Sequence, residues 1–168
     1  MRIAVAAAAF LCMTAPLAAQ QHDMNHGKAD SKEHAGMEAG KLPAGWHARL
    51  DNAKASLKDV KFHKMGNALH VVTGPAAIVW NPADKATGTF TVSAEFQLMK
   101  VPAHPEAYGL VLAGENLDKD NQSYLYFLVR HDGKFLIKHR AGADVHGITE
   151  WTAAPSIVKP DAKGQSKN

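Results

Sequence analysis

An all-β fold, built as an antiparallel sandwich, is predicted by three features of this 168-residue chain. Beyond residue 45, apolar and polar residues alternate with the period of two that half-buried strands require. Turn pairs, Gly66-Asn67 and Asp132-Gly133, sit between such runs. A convincing amphipathic helix is missing, because only Ala48 to Leu57 could hold one and its apolar spacing is poor.

The N-terminus reads as an export signal. Arg2 is followed by an uncharged apolar stretch from Ile3 to Ala19 that closes on Pro16-Leu17-Ala18-Ala19. A basic start, a short apolar centre and small residues at the end make residues 1–19 a secretory signal peptide, with cleavage after Ala19. The stretch is too short for a comfortable membrane span, so the expected location is periplasmic or secreted, free of the membrane after cleavage. Cys12, the sole cysteine, leaves with the signal, and the mature chain is expected to carry neither disulfide nor thiol chemistry.

Residues 20–44 lack β-branched and aromatic side chains and read as a disordered linker. His22, Met24, His26, His34 and Met37 punctuate it, and imidazole with thioether suits copper. After cleavage, Gln20-Gln21-His22 would offer an amine, two amides and an imidazole to square-planar Cu(II). Copper at His22, Met24 and His26 is therefore one expected cofactor site, set against a plain soluble spacer.

The body, residues 45–168, reads as one β-sandwich domain. Val60 to Lys64 and Ala68 to Thr73 flank Gly66-Asn67 as a hairpin, and Ala77 to Trp80 is a short apolar strand ended by Asn81-Pro82. Thr89 to Met99 shows the clearest alternation. Phe90, Val92, Ala94, Phe96 and Leu98 share one face, and Thr91, Ser93, Glu95, Gln97 and Met99 the other. Tyr108 to Ala113 is a further strand. Ser123 to Arg130 and Lys134 to Arg140 form a hairpin across Asp132-Gly133, with both turn positions expected at positive φ. Ile148 to Trp151 is the last short strand. About eight strands with turns between them make a sandwich.

Composition agrees with a globular domain: 46% hydrophobic and 21% charged residues. Nineteen Lys and Arg against sixteen Asp and Glu leave a net charge of +3, with no basic cluster that would serve as a nucleic-acid footprint.

The Gly45-Trp46 start, the Gly66-Asn67 hairpin, Ala77-Ile78-Val79-Trp80, the Gly88-Thr89-Phe90 to Phe96 strand, Tyr108-Gly109-Leu110-Val111, and Tyr124 to Arg130 with Asp132-Gly133 together carry a resemblance. The chain resembles the concanavalin A-like lectin/glucanase jelly roll. Within it, the chain is most similar to exported bacterial domains related to the 3-keto-disaccharide hydrolase family. The resemblance covers residues 45–152 and implies a jelly roll, carbohydrate as partner, and glycoside cleavage as an associated activity. Such domains continue with further strands, including an Asn-Gly hairpin. Here a Pro- and Lys-bearing stretch follows instead, so the expectation is a fragment or a sandwich with a truncated sheet. An open sheet edge would favour self-association.

The resemblance places sugar on the concave face of one sheet. Polar strand faces supply Glu95, Gln97, Tyr126, Arg130, Lys138 and Arg140 as the candidate platform, since sugars stack on rings and accept bidentate hydrogen bonds. The same residues also read as an ordinary solvated face. Family-16 glycosidases of this fold set their acids as Glu-x-Asp-x-x-Glu. The matching run here is Glu95-Phe96-Gln97-Leu98-Met99-Lys100, which lacks the second and third acids and argues against that mechanism. Lyase-type cleavage would need a base, for which His70, His104, His131, His139 and His146 are candidates without a motif. Asp118, Asp120 and Asn121 in an acidic loop are candidate Ca²⁺ ligands, set against a plain polar loop. Trp46, Trp80 and Trp151 read as core or edge anchors. Three functional readings result: a carbohydrate-binding domain, a hydrolase or lyase on (3-keto-)glycosides, and a periplasmic copper-binding protein.

Overall fold

The computed structural model describes the backbone of Ile3–Ala4 and residues 38–72 and 74–168. The other residues of the stretch 1–19 expected to be a signal, and His22, Met24 and His26, lie outside the described residues. The architecture is all-β, with one 3-10 turn at Leu57–Asp59 capped by the Ser56 hydroxyl. Strands run β1 (Ile3–Ala4), β2 (Glu38–Ala39), β3 (His47–Leu50), β4 (Lys61–Met65), β5 (Ala68–Val72), β6 (Ala77–Trp80), β7 (Val92–Ser93), β8 (Gln97–Leu98), β9 (Ala107–Glu115), β10 (Ser123–Arg130), β11 (Lys134–Ala141), β12 (Asp144–Gly147), β13 (Thr152–Ala153) and β14 (Ser166–Lys167). Apart from a short parallel β1–β7 pair, the ladders are antiparallel.

The main sheet has the order β12-β11-β10-β9, with β13 on β11. Leu128 and Leu136 face each other across β10 and β11 and are essentially sealed from water. They pack with Tyr124, Tyr126, Ala107 and Ile78, and Trp80 and Trp151 border the cluster. A second cluster joins Val60, Phe62 and Val79. Strand β6 therefore feeds both cores, Ile78 to one and Val79 to the other. That explains why Ala77–Trp80 is a continuous apolar run rather than an alternating one. Its ladder partner is β3, with Ala48 opposite Val79.

On the opposite face of the main sheet, Phe96 packs on Tyr108 with ring centroids 5.3 Å apart, and Asn168 Nδ2 donates to the Tyr108 hydroxyl. The β8–β14 ladder thus sits at the Tyr108 end of that face.

Three sequence expectations change. Ala48 to Leu57, where the apolar spacing already disfavours a helix, opens as strand β3, drawn into register by β6. Thr89 to Met99 keeps its alternation in burial, with Val92, Ala94, Phe96 and Leu98 the more buried set. Only Val92–Ser93 and Gln97–Leu98 join ladders, because their partners are the short β1 and β14. Ile148 to Trp151 is a bend, not a strand. The Ile148 and Thr149 amides both donate to Ile137 O, and the Thr149 hydroxyl accepts from Ile137 N, so side chain replaces ladder. The β10–β11 connection is a three-residue loop, His131-Asp132-Gly133, in which Gly133 alone takes positive φ (84°). A type I turn closed by one left-handed residue needs glycine only at its end.

The Gly66-Asn67 hairpin is as expected, with Met65 opposite Ala68. Glu38–Ala39, inside the stretch read as linker, pairs with Phe62–Lys61. Among the described residues no helix is long and apolar enough to cross a membrane.

Candidate functional site

The β10–β11 ladder dictates which polar groups meet. Tyr124 lies opposite Arg140 and Tyr126 opposite Lys138, so these four side chains share the face that also carries the Leu128–Leu136 core. The neighbouring β9–β10 ladder is interrupted at this end by a β-bulge in β9. Ser123 pairs with Glu115 and Leu125 with Leu112, and Ala113 between them takes φ of 50°. Bulges of this kind re-aim side chains and bend the strand. Gly142 N donates to Gln122 O, and Arg140 Nε donates to Gly142 O, which ties the guanidinium to the turn beyond β11.

Strand β3 brings two further groups to this end of the sheet. Arg49 donates to Lys119 O at 2.7 Å and to the Asp120 carboxylate at 3.2 Å. Asp51 lies two residues on, its amide bonded to Ala76 O. Asp51 is exposed, yet burial raises its carboxyl pKa above the ordinary 3.8, and outweighs the opposing pull of Arg140 and then Arg49. Asp51 is thus reachable from water yet partly surrounded by protein. Burial, reinforced by the Asp51 charge, pushes both Tyr124 and Tyr126 up to about 12. Both phenols stay protonated at neutral pH. The Tyr126 hydroxyl and Gln122 Oε1 are buried without a hydrogen-bond partner among the described residues.

Of the expected platform, Tyr126, Lys138 and Arg140 are gathered here, with Tyr126 buried as floor rather than exposed as a stacking surface. Arg130 shares the face but is engaged. It grips Asp132 through Nε at 2.9 Å and Nη2 at 2.5 Å, and lies 4.4 Å from the centroid of Trp151. Glu95 and Gln97 are elsewhere: Glu95 pairs with Lys167 at 2.9 Å, and Gln97 lies opposite Lys167 in the β8–β14 ladder. That ladder approaches the other side of the main sheet through Phe96 and Tyr108, so the two halves of the expected platform do not meet. In the loop holding Asp118, Asp120 and Asn121, the Arg49 guanidinium supplies positive charge to Asp120 and to the Lys119 carbonyl. Among the described residues no group of three or more His, Cys, Asp or Glu is placed to hold a metal ion.

Sequence reasoning missed Arg49 and Asp51. Their signal was the Arg49-x-Asp51 spacing, which puts both on one side of a strand but on different sides of the helix that segment was weighed as.

No family model, curated protein or solved structure matches this chain.

Proposed function

We propose that this chain is an exported carbohydrate-binding protein whose β-sandwich is of the concanavalin A-like jelly-roll kind, and that it takes sugar in the recess bounded by Asp51, Arg49, Arg140 and Lys138 over Tyr124 and Tyr126. The observation that carries this reading is a sheet face that gathers Tyr124, Tyr126, Lys138 and Arg140, with the Asp51 carboxyl within electrostatic reach of Arg140 and Arg49. Vicinal sugar hydroxyls both donate and accept, so they match a carboxylate acceptor flanked by fork-shaped donors. The raised Asp51 carboxyl supports a ligand role, because a solvent-facing carboxyl with no task in the recess gains nothing from being desolvated there.

The test is calorimetric titration of the full chain with a panel of neutral oligosaccharides and 3-keto-glycosides. Binding of one class, lost on Arg140→Ala and weakened about tenfold by Lys138→Ala, is the expected result. A panel that binds nowhere, or a bound sugar indifferent to Arg140→Ala, would overturn it.

Asp51 also supports a second reading, glycoside cleavage. A carboxyl with raised pKa is the kind of group that serves as general acid. The arginines act on Asp51 by charge, and Arg49 also holds the Asp120 carboxylate, whereas hydrolysis by paired acids needs two carboxyls at a set separation across the scissile bond. Product release from a 3-keto-glycoside that Asp51→Asn abolishes, with binding retained, would favour turnover over binding alone.

A further inference from the structure

We propose that His139 and His146 form a chelating site for a divalent transition-metal ion of the Zn²⁺, Ni²⁺ and Cu²⁺ class, on the face of the main sheet opposite the polar recess. The two residues are direct partners in the β11–β12 ladder. Their rings are stacked with centroids 6.0 Å apart and planes 26° from parallel. A tight turn at Gly142-Ala143, with Gly142 at φ of 59°, fixes that register.

Directly opposed residues of an antiparallel pair hold their Cβ atoms about 4.5–5.5 Å apart. An imidazole binds such an ion at about 2.0–2.1 Å, so rotation of the two side chains closes a chelate without backbone movement. Imidazole is the ligand that this class of ion shares. The remaining positions stay open to water, because β12 is exposed along its whole length.

Two neighbours prepare the site. The Ser123 hydroxyl lies 3.0 Å from His139 Nε2. With the hydroxyl accepting from that nitrogen, the lone pair of the His139 ring is left on Nδ1, as outer contacts of metal-bound histidines select the ligating nitrogen. Asp144, two residues before His146, stands on the same side of β12 and adds negative charge near the ion. Lys138 and Arg140 flank His139 in sequence and point to the other face, so neither cation opposes binding at close range.

The site is independent of the sugar recess, and its test does not involve sugar. Zn²⁺ alone is titrated into the full chain carrying His22→Ala, His26→Ala and His34→Ala, so that the N-terminal histidines do not compete, and the imidazole resonances are followed. His139 and His146 should shift together. His146→Ala and the size-conserving His146→Gln should each weaken the Zn²⁺ dependence at His139 about tenfold or more, because chelation becomes single-ligand binding. The exposed position of His146 leaves the fold of both variants intact, which circular dichroism checks. Rings that stay unmoved at millimolar Zn²⁺, a His139 shift that survives His146→Ala, or a response confined to the His63–His70 partners of β4 and β5 would each overturn the proposal.

Discussion

Arg130 lies over the ring of Trp151, its guanidinium carbon 4.4 Å from the centroid, while the same group makes a two-point contact with Asp132. The pair staples the β10–β11 loop to the segment after β12, since Trp151 also borders the main core. The Arg130 side chain is mostly buried, at 16% exposure, so its contacts are shielded from the screening that makes surface pairs weak.

Arg130→Ala is therefore expected to cost about 2 kcal/mol, from the lost cation–π contact and the charged hydrogen bonds. For a domain of this size that lowers Tm by about 4–8 °C. Arg130→Lys should recover less than half, because an ammonium cannot hold the fork and the ring together. Thermal unfolding of the three proteins decides it; a lysine variant as stable as the parent would show that charge alone suffices.

The same contact sets an acid limit. Hydrogen bonding to Arg130 chiefly holds the Asp132 carboxyl below its ordinary 3.8, and Arg130 and Lys134 add to this by charge. A folded-state pKa below the unfolded one gives stability that is present in full above the unfolded value. It is lost as pH falls through the folded one. Asp132→Asn should lower stability at pH 7, and that deficit should fade as pH falls from 3.8 through the folded-state value. A deficit that stays constant with pH would rule out the ion pair as its source.

Gly109 makes a steric prediction. A Cβ placed there would stand 1.9 Å from the Phe127 carbonyl oxygen and 2.9 Å from Leu128 Cα, both backbone atoms of β10. Neither can yield without opening the central ladder. Gly109→Ala should cost more than about 3 kcal/mol, beyond ordinary overpacking. Gly66 is the control. Nothing lies within 4 Å of its Cβ position, but its φ is 59°. Gly66→Ala should cost about 1–2 kcal/mol from the left-handed backbone alone. Denaturant midpoints of the two variants separate clash from conformation, and equal losses would contradict the close approach.

The extent to which the sequence foretold this arrangement depends on how local each cause is. Strand β10 follows its alternation almost residue for residue, and β11 buries Leu136 against Leu128 on the same face. The burial of Val92, Ala94, Phe96 and Leu98 was equally legible, but the broken ladder was not. Its partners, including the Phe96–Asn168 backbone pair, come from distant chain. Arg130 was assigned to sugar by strand-face reasoning, which does not see a turn carboxylate two residues on. Asp51 and Arg49 stayed hidden because their segment becomes a strand only through pairing with β6, a tertiary choice that no local pattern announces.

Asp51 yields the prediction that bears most directly on function. Burial raises its folded-state pKa above the unfolded 3.8. Between those two values the folded chain holds a proton that the unfolded chain has released. Stability therefore falls as pH rises through that interval, and at neutral pH the full penalty of an ionised, desolvated carboxyl is present. Asp51→Asn removes the titration while keeping size and shape. The variant should match or exceed the parent in Tm at pH 7. Its advantage should shrink as pH falls through that interval and be gone below 3.8, where the parent carboxyl is protonated in both states. In the same variant, sugar binding should weaken, since an amide accepts more weakly than a carboxylate between Arg49 and Arg140. Greater stability with poorer binding is what a site kept for a ligand should show. An Asp51→Asn variant less stable than the parent at pH 7, and equally so at pH 3, would instead make Asp51 a structural partner of the two arginines and remove it from the recess's chemistry.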